Sequence, residues 1–425
     1  MPAPVRLSRA HVPACLLADA RLAGSREVAS LDLTIAQGRI AGIEPAADEA
    51  PPGSVDLAGR MVVPGFVDMH THLDKGHIWP RAANPDGSFG AALAAAEADQ
   101  LANWSADDLA PRMDFALRCA FAHGTMAVRT HLDSTGHQPR ISWPAFAAMR
   151  ERWAGRIALQ AVCLTYVESY RGPAGDELVR LVAEHGGCVG GFPLMGPDLR
   201  ADLDRLFRLA AAHGLDIDLH IDETADPASR VLRAVAETAL AHRFAGRIVC
   251  GHCCSLATQP EAEALETLDL VARAGIAIVS LPLCNLYLMD RAPGRTPRWR
   301  GVTLLHEMRA RGIAVAVASD NTRDPFHAYG DLDMQEVLRL SVRIAHLEHP
   351  LADWPALASA WPAAICGFPD AGRIAVGAPA DLVLFEGRSW NEVLARPESR
   401  RTVLRAGRAI DTTLPAYAEL DPLFR

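Results

Sequence analysis

The chain of 425 residues is half hydrophobic and 22% charged, with a net charge of −9. This composition is typical of a globular protein with one large domain, or one large and one small. The acidic balance and the lack of a basic tract exclude nucleic acid and anionic membranes as expected partners, and no apolar run is long enough to cross a bilayer. The nine cysteines are scattered and odd in number, which favours free thiols and therefore a cytoplasmic location.

Short strands separated by turn residues are predicted at both ends of the chain. Residues 1–60 contain stretches such as SLDLTIAQGRIAGIEPA, and residues 371–425 contain GRIAVGAPADLVLFEG and RTVLRAGRAI. Chain termini often lie close together, so we expect these two segments to form one small, discontinuous β-sandwich domain.

Residues 61–370 alternate between eight apolar, strand-like runs and amphipathic helical stretches. Several helical stretches, such as DLDRLFRLAAAHG, end at glycine, as helix C-termini commonly do. Eight βα units in about 300 residues predict a (β/α)8 catalytic barrel. The expected fold class is therefore α/β, a TIM-like barrel with a small β-sandwich.

The C-terminal ends of the predicted barrel strands, where such barrels carry their active sites, are rich in histidine. These ends hold, in chain order, His70 and His72, His131, Tyr166, Leu194, His220, His252 and Asp320. Because His70 and His72 are one residue apart on a strand, their side chains point the same way and can chelate one ion. Three imidazoles and a carboxylate suit Zn(II), Fe(II) or a similar ion, which would lower the pKa of water.

Several motifs together resemble a known superfamily. VPGFVDMHTHLD, HIDE, GH and SD, in this order, resemble the amidohydrolase superfamily, and GRIAVGAPADLVLF resembles its C-terminal β-sandwich return. More narrowly, HTHLDK, VRTHLD, DLHIDE, LPLCNLYLMDR and ASDNTRDPF are similar to the cytosine deaminase branch. This resemblance covers nearly the whole chain. It implies a hydrolytic deaminase of a small planar nitrogen heterocycle, in which water activated by one metal ion attacks the amino-bearing carbon and ammonia leaves.

The same resemblance implies roles for individual residues. His70, His72, His220 and Asp320 become the ligands of one divalent ion, Zn or Fe, in each subunit. Glu223 and His252 become the residues that handle protons and developing charge, and Asp320 also contacts the attacking water. The alternatives without catalysis are helix capping for Glu223 and core packing for His252.

Lys75 is the only lysine in the chain. Binuclear members of the superfamily bridge two metals with a carboxylated lysine at the end of the fourth barrel strand, and here that strand is CVGGFPLM. A lysine-bridged site is therefore excluded, which favours a mononuclear deaminase over dihydroorotase-like or hydantoinase-like chemistry. For Asp74 and Lys75, a local salt bridge is favoured over a place in the pocket.

The tetrapeptide THLD occurs at 71–74 and again at 130–133. The second copy has Arg129 where the first has His70. Because the metal ligands are already supplied, we expect His131 to support the site by packing, or through a hydrogen bond to Asp133 or to a ligand, rather than to bind metal.

Three positions are expected to contact the substrate. Similar cytosine deaminases carry a glutamine just past the third barrel strand, where this chain has Tyr166 or, with a slip of one residue, Thr165. A hydroxyl cannot reproduce the paired donor and acceptor of an amide, so cytosine itself is disfavoured. Phe326 matches an aromatic that packs near the substrate, and Asn321 stands where bacterial cytosine deaminase has a second aspartate after Asp320.

Two alternatives stay open beside the deaminase. One is hydrolysis of a cyclic amide or an N-alkylamine, with a triazine-, ammelide- or creatinine-like substrate. The other is a metal-binding protein that has lost catalysis. The expected partner is a small heterocycle, and a homo-oligomer is left open because relatives often assemble.

Overall fold

The computed structural model describes residues 4–398 and 400–424. The strands are β1 (Val5–Pro13), β2 (Val28–Ala36), β3 (Arg39–Pro45), β4 (Val55–Asp56), β5 (Val62–Pro64), β6 (Phe66–Thr71), β7 (Thr125–Asp133), β8 (Ala158–Leu164), β9 (Val189–Gly191), β10 (Ile217–Ile221), β11 (Ile248–His252), β12 (Ala277–Ser280), β13 (Val315–Val317), β14 (Leu382–Phe385), β15 (Arg401–Arg405) and β16 (Arg408–Ala409). The α-helices are α1 (Phe89–Asn103), α2 (Ala106–Ala122), α3 (Pro139–Arg152), α4 (Gly172–Glu184), α5 (Leu199–His213), α6 (Val231–His242), α7 (Glu261–Ala274), α8 (Pro282–Leu288), α9 (Leu305–Ala310), α10 (Met334–Ala345), α11 (Ala360–Cys366) and α12 (Trp390–Ala395).

Strands β6 to β13 run parallel and close into a barrel. They form one sheet of β6, β7 and β8 and another of β9 to β13. The two sheets join on one side where the Cys163 N–H donates to the Cys188 carbonyl at 2.9 Å. They join on the other side where Thr71 pairs with Asp320 in parallel register. The predicted (β/α)8 barrel is therefore confirmed.

The two ends of the chain form the β-sandwich. One sheet has the strand order β3-β2-β1-β4 and the other has the order β16-β15-β14-β5. Buried side chains from both sheets share one apolar core, which includes Leu7, Leu33, Leu382 and Leu404. The α/β fold class, a barrel with a β-sandwich, is therefore confirmed. The domain limits stay a prediction: 1–60 with 371–425 for the sandwich and 61–370 for the barrel.

The first of the eight strand-like runs, VVPGFVDMH at 62–70, does not form a single strand. It breaks at Gly65 into β5, which pairs antiparallel with β14, and β6, which begins the barrel. The Gly65 N–H donates to the Asp381 carbonyl at 2.9 Å and so holds the break against the C-terminal segment. This short run therefore contributes β5 to the sandwich and then β6, the first strand of the barrel.

The nine cysteines are all free thiols. Within residues 4–398 and 400–424, no helix combines the length and the apolar character that crossing a membrane requires. The cytoplasmic location expected from the thiols stays a prediction.

Candidate active site

Four polar side chains converge at the C-terminal mouth of the barrel. His70 lies in β6, and His72 follows that strand directly. The His70 Nε2 atom is 3.1 Å from the Nε2 atom of His220, on β10, and 3.7 Å from Asp320 Oδ1, after β13. The His72 Nε2 atom is 3.4 Å from His220 Nε2 and 3.1 Å from Asp320 Oδ1. The structure therefore brings the four residues predicted to bind metal to one point.

The protonation states of these groups suit a divalent cation. Burial, and then neighbouring imidazoles and Lys75, lower the pKa of His70, His72 and His220 well below the ordinary value, so these rings are neutral. Burial raises the pKa of Asp320 to about 7, and neither of its carboxylate oxygens has a hydrogen-bond partner among the described residues. A cation would offset the cost of that buried carboxylate. Because neutral imidazoles and a carboxylate suit Zn(II) and Fe(II), the donor set fits such an ion.

The backbone is strained at two site residues. His252 has a φ of +66° and Asp320 a φ of +62°, both in the left-handed region. Such a conformation costs a residue other than glycine roughly 1–3 kcal/mol. Backbone hydrogen bonds hold the two turns: the Asp320 N–H donates to the His70 carbonyl at 2.8 Å, and the Cys253 N–H donates to the Ile221 carbonyl at 2.8 Å. Strain of this kind clusters at functional sites, where it re-aims side chains at strand ends.

Asn285, in α8, sets the tautomer of His252. Its Nδ2 group donates to His252 Nδ1 at 3.0 Å and to Glu223 Oε1 at 3.1 Å. With this orientation of the amide, His252 Nδ1, which is also 3.3 Å from Glu223 Oε1, is an acceptor. The ring proton then lies on Nε2, which is buried and has no acceptor among the described residues. The donor atoms of His70, His220, His252 and Asp320 all lie within 4.8 Å of one another. Even so, an Nε2–H group cannot ligate a metal, so His252 is a hydrogen-bond donor to the site.

Sequence reasoning missed Asn285, although it lies in the segment LPLCNLYLMDR that carries part of the family resemblance. The available signal was its place one turn after the seventh barrel strand, β12. An asparagine at such a strand end is a candidate for orienting a catalytic histidine.

Glu223, on the loop after β10, does not cap the following helix. The neighbouring Asp222 does so, because its carboxylate accepts hydrogen bonds from the Val231 N–H at 3.1 Å and the Leu232 N–H at 3.0 Å. The Glu223 carboxyl is left at the site. Burial, and then the charge of Asp320, raise its pKa well above the ordinary value, which favours the protonated form. Glu223 is thus placed and protonated as a proton donor requires.

A cavity of about 400 Å³ opens above the four converging side chains. Its floor contains His72, His220, Glu223 and His252. Its wall is largely apolar and is formed by Phe89, Leu93, Ala96, Leu164, Phe192, Pro193, Leu194 and Phe326. Concave, mostly apolar pockets with a few convergent polar groups are typical of sites for small planar ligands.

Of the two candidates for the position after the third barrel strand, Tyr166 lines the cavity and Thr165 does not. Thr165 is fully buried, and its hydroxyl is 3.1 Å from that of Ser169. The Tyr166 ring packs edge-on against Phe192 with 4.3 Å between centroids, and its hydroxyl is 3.4 Å from Glu97 Oε1. The alternative with Thr165 is therefore wrong, and Tyr166 is the side chain at the rim.

Phe326 and Asn321 also line the cavity. The Phe326 ring meets Phe89 edge-on, with 5.5 Å between centroids. The Asn321 Nδ2 group donates to Asp324 Oδ2 at 2.7 Å, and its Oδ1 atom faces the Cys284 thiol at 3.6 Å. Each polar atom of Asn321 therefore has one protein partner, and its part in binding substrate stays a prediction.

Of the two kinds of support expected from the sequence, His131 provides packing and not a hydrogen bond. Its ring stacks on that of His70 with 3.8 Å between centroids, and neither of its nitrogens has a partner among the described residues. Its nearest carboxylate is Asp218, at 3.8 Å, rather than Asp133. Asp218 is itself paired with Arg129 at 2.9 Å. This ion pair accounts for an arginine directly before the second THLD copy. His131 thus supports the site by packing against a predicted ligand.

The expected salt bridge between Asp74 and Lys75 is not formed. Lys75 lines the cavity, and its Nζ atom lies 3.5 Å from Asp133 Oδ1. The Asp74 carboxylate instead accepts a hydrogen bond from the Asp133 backbone N–H at 2.8 Å. A charge pair between adjacent residues was the simplest expectation, but the tight turn after β6 directs Lys75 towards the end of β7.

Cys250 and Cys253 flank His252 with the C-x-x-C spacing of redox pairs. Both side chains are fully buried. Burial raises the pKa of both thiols well above the ordinary value, so they stay protonated and poorly reactive. They are core residues that support the strand carrying His252.

Comparison with known proteins agrees with this geometry. A sequence model of the amidohydrolase family matches residues 54–162 and 180–411. A pterin deaminase from Rhizobium rhizogenes is 55% identical over 417 residues, covering 98% of this chain and 95% of the relative. An N-isopropylammelide isopropyl amidohydrolase from a Pseudomonas species is 25% identical over 394 residues, covering 89% and 93%. The crystal structure of 5-methylcytosine deaminase from Klebsiella pneumoniae with 5-fluorocytosine has a TM-score of 0.83 at 26% identity, covering 96% and 97%.

We predict that H220N lowers the affinity for Zn(II) by at least about 100-fold, whereas H131N lowers it by no more than about 10-fold. His220 offers a nitrogen to the converging donor set, whereas His131 packs against the rings of His70 and His220. The affinities are measured by competition with a chelator of known strength. An equal loss in the two variants would contradict the assignment of His131.

Proposed function

Because the chain belongs to the amidohydrolase family, we propose that it removes the 2-amino group of a pterin by hydrolysis and releases ammonia. An aminohydrolase was expected from the sequence, and the chain is a hydrolytic deaminase of heterocycles. The finer proposal rests on one observation, the 55% identity to a pterin deaminase over 98% of the chain.

The cavity supports a fused-ring substrate. Its volume of about 400 Å³ lies in the usual range for small-molecule sites and leaves room beyond a single six-membered ring. The edge-on pairs Phe89–Phe326 and Tyr166–Phe192 give it aromatic walls that suit a flat bicycle. Tyr166 cannot form the paired hydrogen bonds that a glutamine makes with a pyrimidine. Its presence therefore favours a substrate other than cytosine.

We also propose one divalent ion per subunit, Zn or Fe, held by the three histidines and the aspartate that converge at the barrel mouth. When bound, such an ion supplies Lewis acidity that lowers the pKa of water at the site. The cytoplasmic location and a homo-oligomeric state stay predictions.

Glu223 and His252 carry the proton chemistry in this proposal. As the bond from water oxygen to the amino-bearing carbon forms, protonated Glu223 gives its proton to the adjacent ring nitrogen. The resulting carboxylate takes one proton from the attacking water and passes it to the amino group, which leaves as ammonia when the carbon–nitrogen bond breaks. The second water proton returns to Glu223 as the product carbonyl forms, so the acid is regenerated. The Nε2–H group of His252, held in that tautomer by Asn285, donates to the oxygen on which charge develops.

A second candidate is hydrolysis of an N-alkylamine on a triazine. It is favoured by the relative that acts on N-isopropylammelide, which is 25% identical over 89% of this chain. The structure offers the same polar floor to either substrate, so the identity of the released amine separates the two.

An ammonia-release screen of the metal-loaded protein tests the function. The substrates are pterin, isocytosine, cytosine, creatinine and N-isopropylammelide. We expect kcat/KM to be highest for pterin, at least about 100-fold above that for cytosine, because a site shaped for other polar groups rejects cytosine strongly. Release of isopropylamine as the fastest reaction would favour the second candidate, and a ring-opened product without ammonia would contradict both.

We predict that E223Q loses at least about 100-fold in kcat and still binds metal. Glutamine keeps the size and the hydrogen bond to Asn285 but has no proton to transfer. Steady-state kinetics and metal content measured on the same preparation check this. Retained turnover with full metal occupancy would refute the role of Glu223 as proton donor.

A further inference from the structure

Lys75 is presented to the cavity by a tightly held loop. Arg112, fully buried in α2, donates to the carbonyl oxygen of Asp74 at 2.5 Å and to that of Gly76 at 3.0 Å. The next residue, His77, donates its N–H to the Thr322 carbonyl at 3.0 Å. The loop after β6 is thus fixed to α2 and to the loop after β13, and the Lys75 side chain is 7% exposed.

The Lys75 ammonium is charged and only partly used by the protein. Burial would lower its pKa, but the carboxylates of Asp133, Asp324 and Asp74 raise it above the ordinary value. Its Nζ atom is 3.5 Å from Asp133 Oδ1, longer than a normal hydrogen bond, and 4.8 Å from the centroid of the Phe326 ring. An ammonium has three N–H donors and Lys75 lines the cavity, so it has donor capacity left for a ligand bound there.

Asp133 stands beside this cation as an acceptor. Its backbone is held by the hydrogen bond from its N–H to Asp74 Oδ2, at 2.8 Å, and its carboxylate lines the cavity. The ends of β6 and β7 therefore offer a cationic donor next to an anionic acceptor. Both groups lie across the barrel mouth from Glu223, which follows β10.

We propose that Lys75 and Asp133 together read the lactam edge of the substrate, with the ammonium donating to the ring carbonyl oxygen and the carboxylate accepting from the neighbouring ring N–H. This inference rests on the proposed function, because a 2-amino-4-oxo ring has that edge on one side of the amino-bearing carbon. On the other side it has an unprotonated nitrogen, which then faces Glu223. Lys75 and Asp133 supply the donor and the acceptor for an amide edge, which the single hydroxyl of Tyr166 cannot supply.

The pair also predicts what the site rejects. In 2,4-diaminopteridine the carbonyl is replaced by an amino donor and the ring N–H by a bare acceptor. The donor then meets the ammonium and the acceptor meets the carboxylate, so both contacts become repulsive. A site built to hydrogen-bond one pattern rejects the opposite pattern strongly.

The test compares kcat/KM for pterin and for 2,4-diaminopteridine, by ammonia release, in the wild type, K75M and D133A. We expect the wild type to favour pterin by at least about 100-fold, and each variant to lose most of that preference because kcat/KM for pterin alone falls. K75R, which keeps the cation, should recover part of the preference. R140Q is the control, because Arg140 is exposed and pairs only loosely with Glu177, at 4.0 Å.

The outcomes separate the two proposals. If the wild type deaminates pterin but the variants lose activity on both compounds equally, or keep the preference, the inference is overturned and the proposed function stands. If the wild type does not deaminate pterin, both are overturned. Thermal unfolding of each variant shows whether it folds. If K75M does not fold, D133A still tests the pair independently.

Discussion

The site depends on the seam that closes the barrel between β6 and β13. There the Asp320 N–H donates to the His70 carbonyl at 2.8 Å, and the Thr71 hydroxyl donates to the Asp320 carbonyl at 2.9 Å. These hydrogen bonds join residues at least 249 positions apart and hold Asp320 in its left-handed conformation. Without this seam the histidines at the start of the barrel and the aspartate at its end would not meet. Closure of the sheet thus brings the strand ends together at the mouth of the barrel. The residues at those ends then determine the chemistry of the site.

Burial then sets the charge of each group at that mouth. Three neutral imidazoles and an unpartnered carboxylate make a donor set for one cation, and a raised pKa keeps a proton on Glu223. Opposite them lies Lys75, whose positive charge is maintained by surrounding carboxylates. A heterocycle lying between the two sides would meet a proton donor on one edge and a donor–acceptor pair on the other. In the proposed function, this arrangement would supply both the chemistry and the orientation of the substrate.

Much of this could be predicted from sequence because it depends on local periodicity. The spacing of His70 and His72 on a strand, and the alternation of strands and helices, place the polar residues at one end of a barrel. What could not be predicted depends on contacts between distant loops. The pairing of Lys75 with Asp133, and the amide of Asn285 that orients His252, are set by the approach of separate strand ends. The assignment of helix capping to Asp222 instead of Glu223 depends on the backbone turn, which the residue types do not encode.

The central claim is that a single metal ion at the seam supports hydrolytic deamination. It is tested most directly by titrating metal-free protein with Zn(II) or Fe(II) while ammonia release from pterin is followed. If one ion is sufficient, activity rises linearly and reaches its plateau at one equivalent of metal per chain. A plateau at two equivalents, or full activity without added metal in protein shown to be metal-free, would contradict it.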